Sequence, residues 1–273
     1  MKLSIPAKTA RAAKAAIARA ARGDAGPTRT SANWRSVWIR KGTEPTLKTL
    51  TLPDFFKMNG WDTGAGQLDE QTWLKLIGYF RKRLRVRRDD SLLEVGCGAG
   101  LFLLPFARKG VRVSGVDYSR TLVEVAKAVL PRNSCVRHSE ANRLPFPSGS
   151  FDNAASNGVF LYFPSWGYAE EALDEIVRVL KPGGRCLITD LNDISKRTLA
   201  ERMRRKNLGL EKYRRMYRGL GHRYYRREWF VRYARKRGLV YEVASQKKAN
   251  SYGNSAWRFM FYFEKPAAAL AAA

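Results

Sequence analysis

Histidine and cysteine are scarce in this 273-residue chain, which has two histidines (His138, His222) and three cysteines (Cys97, Cys135, Cys186). Two histidines cannot build a His-rich metal site. The three cysteines lack zinc-ligand spacing and are too few for a disulfide framework, so no metal centre is expected. No apolar run approaches the roughly 20 residues needed to cross a bilayer. The N-terminus lacks the continuous apolar segment of a secretory signal, and no internal repeat is visible. Acidic residues are also sparse: 24 Asp+Glu face 51 Lys+Arg, giving a net charge of +27. What is present suits a folded protein. Hydrophobic residues make up 45% and aromatics 12% of the chain, which excludes wholesale disorder. The length fits one large domain, or one domain with appendages.

The excess charge points to an anionic partner: nucleic acid, a membrane surface or an acidic substrate. Its distribution is uneven. Residues 1–48 carry +9, residues 81–88 (RKRLRVRR) carry +6 and residues 196–237 carry +14, whereas residues 89–195 sum to −2. The middle of the chain is thus electrostatically ordinary.

From Ala7 to Arg22 the sequence is Ala-rich, with Lys8, Arg11, Lys14, Arg19 and Arg22 on one helical arc and no acidic residue before Asp24. Residues 1–30 therefore read as a solvated basic tail or a transit-like segment. The matching locations are the cytoplasm or, alternatively, a mitochondrion or plastid. Residues 31–67 read as an N-terminal cap segment, in which the aromatics and glycines of Phe55–Gly66 suit closure over a ligand. Residues 68–265 form the main domain, with a basic helical insertion at 196–237. Residues 266–273 form a low-complexity, frayed tail.

Residues 68–85 have the spacing of an amphipathic helix with Trp73, Leu76, Ile77 and Phe80 on its apolar face. Strand and helix signals then alternate. Strands are expected at Ser91–Val95, Val111–Val116, Ser134–His138, Phe151–Ser156 and Arg185–Asp190. Helices are expected at Ala99–Arg108, Ser119–Leu130 and Trp166–Leu180, the last stopped by Pro182-Gly183-Gly184. Five strands separated by helices predict an α/β fold with a doubly wound, mostly parallel sheet. Two further strands, Leu239–Gln246 and Trp257–Phe263, follow the insertion and predict a terminal antiparallel hairpin.

Between the first strand and first helix lies Leu92-Leu93-Glu94-Val95-Gly96-Cys97-Gly98-Ala99-Gly100. Glycines there let the backbone approach a ligand closely. The pattern is G-x-G-x-G, not the G-x-G-x-x-G of dinucleotide-binding loops, because Leu101 stands at the sixth position. Asp117 ends the second strand, where a carboxylate can accept hydrogen bonds from both hydroxyls of a ribose. Cys97 reads as a small buried filler.

With its LEVGCGAG, VDYS, EANRLPFPSGSFD and LKPGG blocks, the chain resembles the class I S-adenosylmethionine-dependent methyltransferases of small-molecule type, over roughly residues 68–265. The resemblance implies a Rossmann-like sheet of seven strands whose last strand is antiparallel, and S-adenosyl-L-methionine as cofactor. It also implies site roles. Gly96, Gly98 and Gly100 line the methionine moiety, Glu94 orients its amino group, Asp117 holds the ribose and Tyr118 flanks the adenine. Glu140 and Ala141 sit beside the adenine ring, with Glu140 standing where relatives often have Asp. Asn157 sits between cofactor and acceptor. Structural alternatives are a solvated loop charge for Glu140 and a turn-satisfying amide for Asn157.

On the acceptor side the candidates are Tyr162, Asp190, Asp193 and His222, with Tyr162 and His222 preferred as catalytic groups. Asn157-Gly158-Val159-Phe160 lacks the Pro-Pro pair of the N-P-P-Y type, which argues against an amide or adenine nitrogen as acceptor. The expected function is methyl transfer to a small molecule, acidic or membrane-associated, with the insertion as a substrate lid and peripheral contact with an anionic membrane. The alternative is an RNA methyltransferase using the basic insertion and tail for phosphate contacts, with Tyr213, Tyr217, Tyr224, Tyr225 and Trp229 stacking bases. A non-enzymatic scaffold is opposed by the intact glycine loop and Asp117.

Overall fold

In the computed structural model the residues described are Arg11, Ala15, 34–43, 51–61, 68–248 and 254–267. Most of the basic tail, residues 44–50 and 62–67 of the cap segment, residues 249–253 and the C-terminal residues 268–273 therefore lie outside them. The framework is a seven-stranded sheet of order β3-β2-β1-β4-β5-β7-β6. Its strands are β1 (Ser91–Val95), β2 (Arg112–Asp117), β3 (Cys135–His138), β4 (Phe151–Asn157), β5 (Leu180–Asn192), β6 (Val240–Ser245) and β7 (Arg258–Glu264). The first five are parallel, and β7 runs antiparallel between β5 and β6. This is the doubly wound, Rossmann-like arrangement with an antiparallel last strand that the sequence implies.

Covering both faces of a parallel sheet requires apolar residues in both directions, and the strand sequences provide them. All five residues of β1 are buried. Leu92 faces one core, shared with Trp73, Phe80, Phe102 and Phe106. Leu93 and Val95 face the other, shared with Leu173, Ile176 and Phe230. The same period of two runs through β7, where Met260 and Tyr262 join the first core and Phe259, Phe261 and Phe263 the second. Each buried phenylalanine contributes roughly 1.5–3 kcal/mol.

The helices are α1 (Trp34–Thr43), α2 (Leu52–Met58), α3 (Glu70–Arg83), α4 (Leu104–Ala107), α5 (Arg120–Val129), α6 (Trp166–Val179), α7 (Arg197–Leu208), α8 (Leu210–Tyr217) and α9 (Arg227–Lys236). Side-chain caps set several of their starts. Asp69 accepts from the Thr72 N–H at 2.6 Å, Ser119 from Leu122 at 3.4 Å and Ser165 from Tyr168 at 3.0 Å.

Two elements differ from expectation. The helix expected over Ala99–Arg108 is only the four residues of α4, preceded by turns. Pro105 explains this: it sits in the first turn of α4, where its missing N–H is tolerated, and would break a helix begun at Ala99. The fifth strand begins at Leu180, five residues before Arg185. The Lys265 carbonyl accepts from the Gly183 N–H at 2.8 Å, and the Lys265 N–H donates to Gly184 O at 2.9 Å. Pro182-Gly183-Gly184 is thereby drawn into the strand.

The basic insertion is helical, as expected, but its helices pack unequally. Phe230, Tyr233 and Ala234 of α9 are buried against the sheet, whereas among the side chains described α7 buries only Ala200 and α8 none.

Candidate active site

Strand order reverses between β1 and β4, and ligands of open α/β sheets bind outside the strand ends at such a point. A cavity of about 440 Å³ lies there. Its floor comes from strand ends: Glu94 and Gly96 after β1, Asp117 and Tyr118 after β2, Asn157 and Gly158 after β4.

The glycine loop is tied tightly to β2. Gly96 and Cys97 both donate to Val116 O, at 2.8 and 2.9 Å. Gly96 has φ +78°, and a Cβ there would overlap Val159 Cγ2. Gly98 has φ +51°, and a Cβ there would stand 2.5 Å from Asn59 Oδ1. Glycine is therefore required at both positions by conformation and by space. Gly100 is in a different place. It packs on Ala126 and Leu130 at the end of α5 and does not line the cavity. Cys97 is buried, and burial pushes its thiol well above the usual range, so it stays protonated and unreactive.

Asp117 Oδ2 accepts from the Gly98 N–H at 2.9 Å, and Oδ1 accepts from the Ser119 N–H at 2.8 Å. One carboxylate thus fixes the loop and starts α5, with acceptor capacity left over. Burial raises its pKa against these two hydrogen bonds. Glu94 is 4% exposed, and its Oε2 has no hydrogen-bond partner. Burial, with the neighbouring Asp117 charge, raises its pKa well above the usual carboxylate range. Among the described residues neither buried carboxylate forms a salt bridge with a lysine or arginine, which suits a ligand bearing positive charge.

The adenine-side candidates converge as well. Tyr118, Glu140 and Ala141 line the same cavity. Glu140 receives the Tyr168 O–H at 2.9 Å and pairs with Arg35 at 2.6 Å, so it is not a free loop charge. Asn157 Oδ1 accepts from the Thr189 hydroxyl at 2.7 Å.

Tyr162 lines the cavity wall, in edge contact with Trp34 and Trp38 at centroid distances of 4.8 and 5.1 Å. Burial raises its pKa, so the phenol is protonated at neutral pH. His222 does not line the cavity itself. It stacks on Trp34 at 4.6 Å and touches Tyr162 at 5.5 Å. Burial, reinforced by the Arg204 and Arg258 charges, lowers its pKa well below the usual imidazole range, so it is neutral.

Asp190 is 3% exposed, has φ +63° and pairs with Arg258 at 2.8 Å beside Gly158. A non-glycine residue in that backbone region stores strain of the kind found at functional sites. Asp193 is structural. It bonds the Ser195 N–H at 3.0 Å and pairs with Arg227 at 2.8 Å.

Sequence reasoning passed over Trp34, Arg35 and Trp38 of α1, and Tyr168 of α6, all of which line the cavity. The available signal was the i, i+4 tryptophan pair in WRSVWIRKG, an aromatic face too large to leave exposed. Asn59 and Trp61, within the expected cap, also line it.

A Rossmann-like sheet with a G-x-G-x-G loop, a ribose-type aspartate and an acidic floor defines a binding fold for a nucleoside-bearing, cationic cofactor. S-adenosylmethionine, with its ammonium and sulfonium, fits the Glu94 Oε2 left without a hydrogen-bond partner and the pair of raised carboxylates. Residues 93–188 match the family described as a methyltransferase domain. The chain is 33% identical over 145 residues to a protein of Mycolicibacterium smegmatis named a probable S-adenosylmethionine-dependent methyltransferase, covering 53% of this chain and 55% of that one. It is 31% identical to the 27-O-demethylrifamycin SV methyltransferase of Amycolatopsis mediterranei, covering 48% of each. The chain thus spans about half the length of these curated relatives. Among solved structures, the [4+2]-cyclase SpnF superposes with a TM-score of 0.53 at 20% identity, covering 76% of this chain and 86% of that one. The geranyl diphosphate C-methyltransferase of Streptomyces coelicolor does so with 0.53 at 15%, covering 69% and 78%. Residues 93–188 thus match a methyltransferase domain, and the similarity to named relatives supports a class I S-adenosylmethionine-dependent methyltransferase.

Proposed function

We propose that the protein transfers a methyl group to a small-molecule acceptor. The observation that carries this reading is the single cavity wall shared by the cofactor residues and an aromatic group. Glu94, Asp117 and Tyr118 lie at one end, and Trp34, Trp38, Tyr162 and Phe163 complete the lining. When bound, S-adenosylmethionine supplies an electrophilic methyl on a sulfonium.

The chain supplies position and exclusion of water. Glu94 would pair with the ammonium and Asp117 with the ribose hydroxyls, and Glu140 with Tyr168 would frame the adenine end. The glycine loop admits the ligand backbone-close. Holding the acceptor's lone pair in line with the methyl contributes on the order of 7–11 kcal/mol to the rate. Tyr162 presents a phenol O–H from the wall and orients the acceptor oxygen or nitrogen. His222, neutral and set behind the lining on Trp34 and Tyr162, is the candidate to take a proton that leaves the acceptor late, through a bridging water.

An acidic or membrane-associated acceptor is the finer form of this proposal, supported by the +14 of the insertion whose residues Gly219–Gly221 and Arg223 border the cavity.

The test is transfer itself. Incubation with methyl-labelled cofactor and fractionated cell extract should place label in a small-molecule or lipid fraction. Label confined to RNA or protein would reject the proposal. With the product in hand, Tyr162→Phe should lower kcat about tenfold with little change in KM for cofactor. His222→Gln should lower kcat where the imidazole is neutral, and the two enzymes should converge as pH falls far enough to protonate it.

A further inference from the structure

Helices α7 and α8 are the least buried part of the described structure. Among the side chains described, α7 buries only Ala200 and α8 buries none. Helices of 12 and 8 residues are too short to be stable in water on propensity alone, so they ordinarily need an apolar face covered. The large hydrophobics exposed among the described residues are Ile194, Leu199, Leu210 and Val240. Val240 lies on the edge strand β6, and the other three cluster in the 17 residues leading into and joining these helices. Around them Lys196, Arg202, Lys206, Lys212, Arg215 and Arg218 are exposed. The two acidic side chains nearby are already engaged, Glu201 with Arg197 and Arg205, and Glu211 with Arg214.

We propose that Ile194 and helices α7 and α8 form a docking face for an anionic lipid bilayer. Aliphatic side chains standing among unopposed cations match the acyl boundary and the headgroup layer of such a surface. Single-stranded RNA would instead need open aromatic faces for its bases. The insertion's aromatics are taken. Tyr213 stacks on Tyr217 at 4.9 Å, and Arg205 and Arg204 lie over their rings at 5.4 Å each. Tyr217 also meets Trp34 and His222, Tyr224 and Tyr225 are buried, and Trp229 packs on Trp166. The docking face is continuous with the cavity, because Gly219, Leu220 and Gly221 follow α8 directly and line it. Delivery of a bilayer-dissolved acceptor through that rim rests on the methyl-transfer reading. The docking itself does not.

The experiment is co-sedimentation of the full chain with phosphatidylcholine vesicles, and with phosphatidylcholine–phosphatidylserine vesicles, at physiological salt. Binding is expected to the anionic vesicles only. Leu199→Ser with Leu210→Ser, which leaves the charge unchanged, should weaken it about tenfold. Neutralising Arg202, Lys206, Lys212 and Arg215 to Gln should weaken it on the order of a hundredfold. Leu199→Trp with Leu210→Trp should strengthen it, which separates docking from misfolding. All variants should bind S-adenosylmethionine like the parent, since none of these residues lines the cavity. The proposal is overturned if anionic vesicles are not bound, or if the leucine changes leave vesicle binding unmoved. Tight RNA binding without vesicle binding, sensitive to the charge set alone, would also overturn it. Vesicle binding is read without turnover, so its failure is distinct from failure of methyl transfer.

Discussion

Glu94 and Asp117 both line the cavity floor with raised pKa values, and a cation bound beside them must lower those values. Cofactor binding is therefore expected to release protons, with affinity falling as pH drops through the free-state pKa of Glu94. Calorimetry in buffers of different ionisation enthalpy checks this, and an enthalpy independent of buffer would contradict it. The sign for stability follows. A carboxyl whose folded pKa is raised contributes stability that is fully present below its unfolded pKa and is lost as pH rises through the folded value. The free chain should thus melt lower as pH rises through that window, and Glu94→Gln should flatten the trend. Gly96→Ala should cost several kcal/mol of stability or abolish cofactor binding, given a φ of +78° and the overlap with Val159. These residues were legible in sequence because the glycine loop and Asp117 carry local, spacing-fixed signals. The family resemblance puts Gly100 with the ligand, whereas its surroundings are Ala126 and Leu130, distant in the chain.

At the level of elements, α1 acts as a cover held by the site more than by the core. Trp34 Nε1 donates to Gly221 O at 2.9 Å, Tyr118 O–H donates to Trp34 O at 3.3 Å, and Arg35 lies 5.2 Å from the Tyr118 ring centre while paired with Glu140. Trp34→Ala should weaken cofactor affinity about tenfold through faster release, on the scale of a lost aromatic contact and a hydrogen bond, while leaving Tm nearly unchanged. Stopped-flow dissociation and a thermal melt measure the two. A large fall in Tm would instead make α1 part of the core. The sequence marks residues 31–67 as a cap, but the Trp34–Gly221 bond spans 187 positions, and no local pattern reveals it. The sheet was legible because burial on two faces imposes a period of two on β1 and β7. A helix from Ala99 follows from its apolar residues, but Pro105 confines the helix to Leu104–Ala107.

Over the whole molecule, charge and chemistry are separated. Residues 89–195, which hold most of the cofactor-side groups, sum to −2, and the cations lie on the insertion, a helix end and the N-terminal segment. None of the helices among the described residues is long and apolar enough to cross a membrane. Screening reaches exposed charges far more than buried ones. Raising salt should therefore strip the chain from anionic surfaces while moving cofactor affinity little, and comparable salt slopes for both would contradict this separation. The most direct test of the central claim, that the acidic-floored cavity holds S-adenosylmethionine, is titration calorimetry of the folded full chain against Asp117→Ala. Saturable binding should appear in the parent. The variant should bind about tenfold or more weakly, because charge-assisted hydrogen bonds contribute roughly 1.5–3 kcal/mol each. A folded parent that binds no S-adenosylmethionine, or a variant that binds it equally well, would contradict it.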